Sequence, residues 1–151
     1  MDSIKEDTSA TTGLTGEIIG AAMKVHSRLG PGVLESAYEA CLEYELKKRG
    51  MKVERQKALP IIYDGLAIEA GYRIDLLVED PVVVELKAVE SLLPIHHAQI
   101  LSYLRLANKE VGLLINFHEF HLKDGLVRKI NRRSPTETPP PRTSEPSAVQ
   151  F

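Results

Sequence analysis

Tyr72-Arg-Ile-Asp75-Leu-Leu-Val-Glu-Asp-Pro-Val82-Val-Val-Glu85-Leu-Lys87 contains two apolar segments, each ending in or carrying charge where a core would otherwise lie. Residues 72–78 and 82–87 read as neighbouring strands separated by a polar turn. Side chains alternate along a strand, so Glu85 and Lys87 share one face about 7 Å apart, while Val82, Val84 and Leu86 take the other. If the strands pair, Asp75 comes beside Glu85. Carboxylates about 4 Å apart repel by roughly 4 kcal/mol at an effective dielectric near 20. A divalent cation would remove that repulsion, and oxygen donors with few histidines favour magnesium or manganese over zinc. A cross-strand salt bridge near a sheet edge accounts for the charges as well, and both readings stay open on spacing alone.

Working outward, Leu14, Ile18, Ala21, Ala22, Val25 and Leu29 recur at helical spacing, with Thr15 as the expected N-cap and a stop at Gly30-Pro-Gly32. A second helix is expected over 33–49, its buried side formed by Leu34, Ala37, Tyr38, Cys41, Leu42 and Leu46, with Gly50 ending it. Strands are expected near 52–57, 60–63, 66–70, 72–78 and 82–87, with Asp64-Gly65 as a hairpin turn. Pro94 opens a third helix, Val111–Asn116 is a buried strand, and 126–130 adds an edge. Helix-helix, antiparallel meander, helix, strand is an α/β order with a mixed central sheet of about five strands flanked by helices.

The 151 residues, 43% hydrophobic and 26% charged, describe one ordinary globular domain. The folded unit is expected over 14–131, with a flexible N-terminus at 1–13 and a disordered proline-rich tail at 132–151. A net charge of −2 supplies no global attraction to nucleic acid, so any such contact must be local. One cysteine, Cys41, excludes an internal disulfide and a thiolate metal cluster. No membrane-spanning or targeting segment is read, and the cytoplasm is the expected compartment.

Asp75, the ten-residue step to Glu85, and Glu85-Leu-Lys87 resemble the PD-(D/E)XK nuclease signature, with Ile74 standing where the literal pattern has proline. Gly32-Val-Leu-Glu35-Ser-Ala-Tyr38 resembles the pattern of the GxxExxY proteins of that superfamily. Gly71-Tyr-Arg-Ile-Asp75, Val84-Glu-Leu-Lys-Ala88 and Gly112-Leu-Leu-Ile-Asn-Phe117 fit the same family in order. The resemblance implies a restriction-endonuclease-like core and a metal-dependent nuclease acting on nucleic acid, DNA first. It implies Mg2+ or Mn2+ held by Asp75, Glu85, the Leu86 carbonyl and Glu35. Lys87 would position the attacking water.

Gln99-Ile-Leu-Ser-Tyr103 resembles the Gln-x-x-x-Tyr motif of the recombination-exonuclease branch, which implies Gln99 as a supporting catalytic residue and Tyr103 as a backbone contact. Arg73 is a candidate phosphate contact or partner of Asp75. His96 is a candidate phosphate contact or a helix-start hydrogen-bonding residue. His118-Glu-Phe-His121 reads as a surface turn, and the bases from Lys47 to Lys57 as a solvated face. So small a nuclease would need a homodimer to grip duplex. The alternative is a non-cleaving nucleic-acid-binding or protein-interaction module that retains the fold.

Overall fold

The computed structural model describes the backbone of residues 2–132 and side chains from Thr11 onward, so the proline-rich tail expected at 132–151 lies, past its first residue, outside the described part. Helix α1 (Asp2–Leu29) leads into α2 (Glu35–Lys48), followed by β1 (Val53–Ala58), β2 (Ile61–Tyr63) and β3 (Leu66–Ile68). β4 (Arg73–Val78), β5 (Val82–Lys87), α3 (Pro94–Ala107), β6 (Val111–Asn116) and β7 (Leu126–Ile130) complete it, with a 3-10 turn at Leu122–Gly125 before β7.

Five strands form one sheet in the order β1-β4-β5-β6-β7. All neighbours are antiparallel except β5 and β6, which are parallel and joined by α3. The sheet is mixed, as the element order implied. The expected continuous meander is interrupted: β2 and β3 leave the sheet and form a two-stranded hairpin of their own. Asp64 and Gly65 turn it with φ of 50° and 78°, the two positive angles that a tight hairpin turn of this hand requires.

One sheet face carries Leu76, Val78, Val82, Val84, Leu86, Leu113 and Ile115, all buried under α1 and α2. The stripe Ile18, Ala21, Ala22, Val25 of α1 meets Tyr38, Leu42 and Leu46 of α2 there. The opposite face, with Leu77 and Val83, lies beneath Tyr103 and Leu104 of α3. Helix α3 can sit this low because β6 carries Gly112, where a Cβ would lie 2.9 Å from Ile100 Cδ1.

Two local readings are corrected. Thr15 is inside α1, buried, its hydroxyl donating to Thr12 O at 3.0 Å, so it is not the N-cap of a helix that already begins at Asp2. Apolar periodicity locates the packed stripe of a helix and not the residue at which it begins. Leu34, assigned to the buried side of α2, is 76% exposed because it precedes the helix. Glu39 takes a buried place on that helix at 6% exposure.

Gly125 closes the turn into β7 against Asn116: a Cβ there would stand 2.6 Å from the Asn116 carbonyl oxygen. Backbone cannot yield as a flexible side-chain tip can, so Gly125→Ala is expected to cost roughly 1–3 kcal/mol, read as a lowered urea midpoint with an unchanged slope.

Candidate active site

Asp75 is the one β4 residue without a ladder partner on either side. The β1–β4 register passes from Arg55↔Leu76 to Lys57↔Ile74, and the β4–β5 register ends at Leu76↔Val84. Side chains replace the missing ladder bonds: Asp75 N–H donates to Glu85 Oε1 at 3.1 Å, and Leu86 N–H donates to Asp75 Oδ2 at 2.9 Å. β4 also rotates here. Strict alternation would put Ile74 on the face of Leu76, yet it packs with Leu59, Leu77 and Val83 on the α3 side. Asp75 therefore stands at a seam that both helical layers reach.

From the α2 side come Glu35 and Glu39. Gly30 and Gly32 turn the chain into this helix with φ of 69° and 94°, a region costly for residues with a Cβ. Tyr38 secures the turn. Its hydroxyl donates to Gly30 O and accepts from Val33 N–H (3.1 Å), while its ring stacks on Phe117 with centroids 4.6 Å apart. Gly32 N–H donates to His118 Nδ1 at 3.4 Å, and His26 Nε2 bonds Glu119 O at 2.6 Å. The 118–121 segment is a surface turn, as read, and through His118 and Glu119 it also docks the α1–α2 loop and α1. Glu35 is thereby held as the first residue of α2.

Glu39, one turn further, accepts from Gln56 Nε2 at 2.5 Å and Arg55 Nε at 3.3 Å. The same Gln56 amide reaches Asp75 Oδ1 at 3.3 Å, linking the two acids. Gln56 has φ of 54°, and Arg73 Nη1 donates to its carbonyl at 3.2 Å. Arg73 thus braces the β1 irregularity, and no ion pair joins it to Asp75 among the described residues.

From the other side, Lys87 ends β5. Phe117 N–H donates to its carbonyl at 2.8 Å, and buried Asn116 receives Val89 N–H at 3.1 Å and donates to Val89 O at 2.9 Å. The strand end is clamped on both sides of the lysine. On α3, Gln99 Nε2 donates to Tyr103 Oη at 3.1 Å, and Tyr103 meets Tyr72 edge-on at 6.3 Å. His96 accepts Leu93 N–H on Nδ1 at 3.0 Å, which is the helix-start role and leaves only Nε2 for a ligand.

The charges act on one another across this seam. Burial, then the charge of Asp75, pushes the Glu85 carboxyl up to about 9, with Lys87 opposing. Burial also raises Glu35, opposed by Lys87 and reinforced by Asp75 and Glu39. Burial raises Glu39 as well, with the Gln56 hydrogen bond the leading opposing influence. Tyr103 is raised by burial and then by Glu85, which places its hydroxyl within the field of the same pair.

No three His, Cys, Asp or Glu side chains converge as a cage for a metal among the described residues. The adjoining acids are two, Asp75 and Glu85. This donor set fits magnesium, which is held through one or two carboxylates and takes its remaining ligands from water and phosphate. It does not fit zinc, which needs three or four nitrogen or sulfur donors.

Asp75, Glu85, Lys87 and Glu35 are thus brought into one electrostatic cluster, with Gln99–Tyr103 beside it. Arg73 and His96 are each engaged with backbone. Glu39, Gln56 and Asn116 were missed. Only Glu39 carried a signal, lying four residues after Glu35 and so on the same helix face.

A family model described as the PD-(D/E)XK nuclease superfamily matches residues 12–130. No curated protein and no solved structure matches the chain.

The raised Glu85 carboxyl has a thermodynamic consequence. Its folded value lies near 9 against an ordinary 4.5, so the folded state holds more protons between those limits and stability falls as pH rises through them. In chelator, wild type is expected to lose on the order of 4 kcal/mol between pH 5 and 8. Glu85→Gln should show a much flatter profile in the same denaturant titrations.

Proposed function

Because the chain belongs to the PD-(D/E)XK nuclease superfamily, we propose that it hydrolyses phosphodiester bonds in DNA with Mg2+ (or Mn2+) as cofactor. The observation that carries this reading is the break in the β4–β5 ladder, where Asp75 and Glu85 meet and Lys87 follows on the face of Glu85. A purely structural acid pair would gain nothing from burial, which raises the Glu85 carboxyl. The two carboxylates, with the Leu86 carbonyl, would hold the ion, and Glu35 would reach it through water. When bound there, the ion lowers the pKa of a water and offsets phosphate charge.

The chain's own residues supply the rest. Lys87 holds and orients the attacking water and neutralises charge gathering on the phosphate oxygens. Its backbone is fixed by Phe117 and its strand end by Asn116, so the ammonium works from a rigid stem. Gln56 acts as a positioning residue, holding Asp75 while Glu39 holds Gln56. Gln99 sets the Tyr103 hydroxyl beside the site, where it contacts the nucleic-acid backbone. Arg73 and Nε2 of His96 would serve as phosphate contacts. DNA is preferred to RNA on the resemblance of Gln99 and Tyr103 to the recombination-exonuclease motif.

One observation favours the protein-interaction form of a second reading, a module that keeps the fold and does not cleave. The basic stretch is largely spent internally: Lys47 pairs with Glu43, Arg49 with Glu17, Arg55 with Glu39 and Glu43, and Lys57 with Glu54. Little of it is left to track phosphates.

Cleavage of labelled DNA in magnesium decides between them. Asp75→Ala and Lys87→Ala are each expected to lower the rate on the order of 10²–10³-fold, with calorimetric Mg2+ binding lost in Asp75→Ala and kept in Lys87→Ala. Cleavage that survives both substitutions would sink the nuclease assignment. Metal binding without cleavage of any DNA or RNA form would support the module.

A further inference from the structure

The β2–β3 hairpin is an anomaly that the active site does not use. Its strands are registered through Ile61↔Ile68, Ile62↔Ala67 and Tyr63↔Leu66, and they pack chiefly on each other. Ile62 is 59% exposed, Tyr63 64%, Leu66 61% and Ile68 40%. Large apolar side chains thus stand in water on both hairpin faces, and an isolated two-stranded hairpin is only marginally stable. Among the described residues no further strand pairs with its outer edges, which leaves a template for another strand.

From this hairpin we infer that β2 is the self-association edge of the protein, pairing antiparallel with β2 of a second copy about a two-fold axis at Ile62. The charge pattern selects this occupant. Between Leu59 and Tyr72 the chain carries Asp64 and Glu69 and no lysine or arginine, so a phosphate backbone is repelled. The β2 edge is self-complementary. Pairing about Ile62 sets Ile61 opposite Tyr63 and Pro60 opposite Asp64, with no like charges facing. Pairing through the β3 edge about Ala67 would set Glu69 opposite Gly65, next to the Asp64 of the other copy. The exposed side chains of Ile62 and Tyr63 flank this edge on its two faces, so pairing here covers apolar surface on both. A two-fold interface uses the same patch on both copies, as this edge allows.

This inference stands apart from the chemistry, since it rests on no residue of the Asp75–Glu85 cluster. The test is the mass of the full chain in solution by light scattering and sedimentation, at concentrations up to about 100 μM. A dimer is expected, and Ile62→Lys, which sets two ammonium groups against each other on the axis, should return it to monomer. Because that variant could misfold, a second measurement uses Ile62→Cys in a Cys41→Ser background. Under mild oxidation it should form an intermolecular disulfide at least tenfold faster than Leu66→Cys. A monomer throughout the range, a dimer indifferent to Ile62→Lys, or faster cross-linking through Leu66→Cys would each overturn the proposal. So would a hairpin that remains monomeric and instead engages single-stranded DNA or a different protein.

Discussion

Two carboxylates compelled to share one gap in the sheet set the terms for the rest of this molecule. Asp75 and Glu85 end up together because a strand pair brings them opposite, and burial with the neighbouring Asp75 charge opposes ionisation of Glu85. The backbone yields to them. Where a fourth β4–β5 ladder contact would form, the acids accept two backbone N–H groups themselves, and β4 turns on its axis. A ladder bond is worth about 1 kcal/mol net, so giving one up is a small cost beside leaving a buried carboxylate without donors. The opening in the sheet is therefore a consequence of the acids, and the acids are placed by the sheet.

That rotation explains how residues from opposite layers meet. Helix α2 packs on one face of the sheet and α3 on the other, so side chains from the two would ordinarily be separated by the sheet itself. At the seam Asp75 feels Glu35 and Glu39 from one layer, and Tyr103 feels Asp75 and Glu85 from the other. The GxxExxY stretch becomes mechanical in this light. Gly32 supplies a backbone angle, Tyr38 ties down Gly30 and Val33, and Glu35 is delivered at the helix start. Of the three, Glu35 alone carries charge, and the other two hold it in place.

Much of this was legible from local pattern. Pro94 opens α3, Gly50 follows the C-terminal turn of α2, and Val111–Asn116 and Leu126–Ile130 are strands because short apolar runs bounded by turns have few alternatives. The same holds for Asp75, Glu85 and Lys87, whose charges violate the pattern around them. What escaped was long-range. Glu39 looks like any exposed helix acid until Gln56 and Arg55 arrive from β1 to satisfy it. Asn116 ends a strand in sequence, and only the parallel neighbour β5 reveals that it clamps Val89. The hairpin was read as part of the meander because nothing in Ile61–Ile68 states that its partners are only each other.

The distribution of cations bears on how such a site would hold its substrate. Lys47, Arg49, Arg55 and Lys57 are engaged by acids of the same chain, and the formal net charge is −2. Exposed pairs of this kind contribute little stability, but each still lowers the positive potential available to a phosphate. On the proposed reading, phosphate affinity then comes from the cluster and its approach, where Lys87 faces Asp75 and Glu35 and, once an ion displaces its proton, Glu85. A bound cation there would offset the acids and admit a phosphodiester. On the proposed reading, binding and hydrolysis are consequently not separable properties: the ion that the acids hold for chemistry is also what admits the substrate.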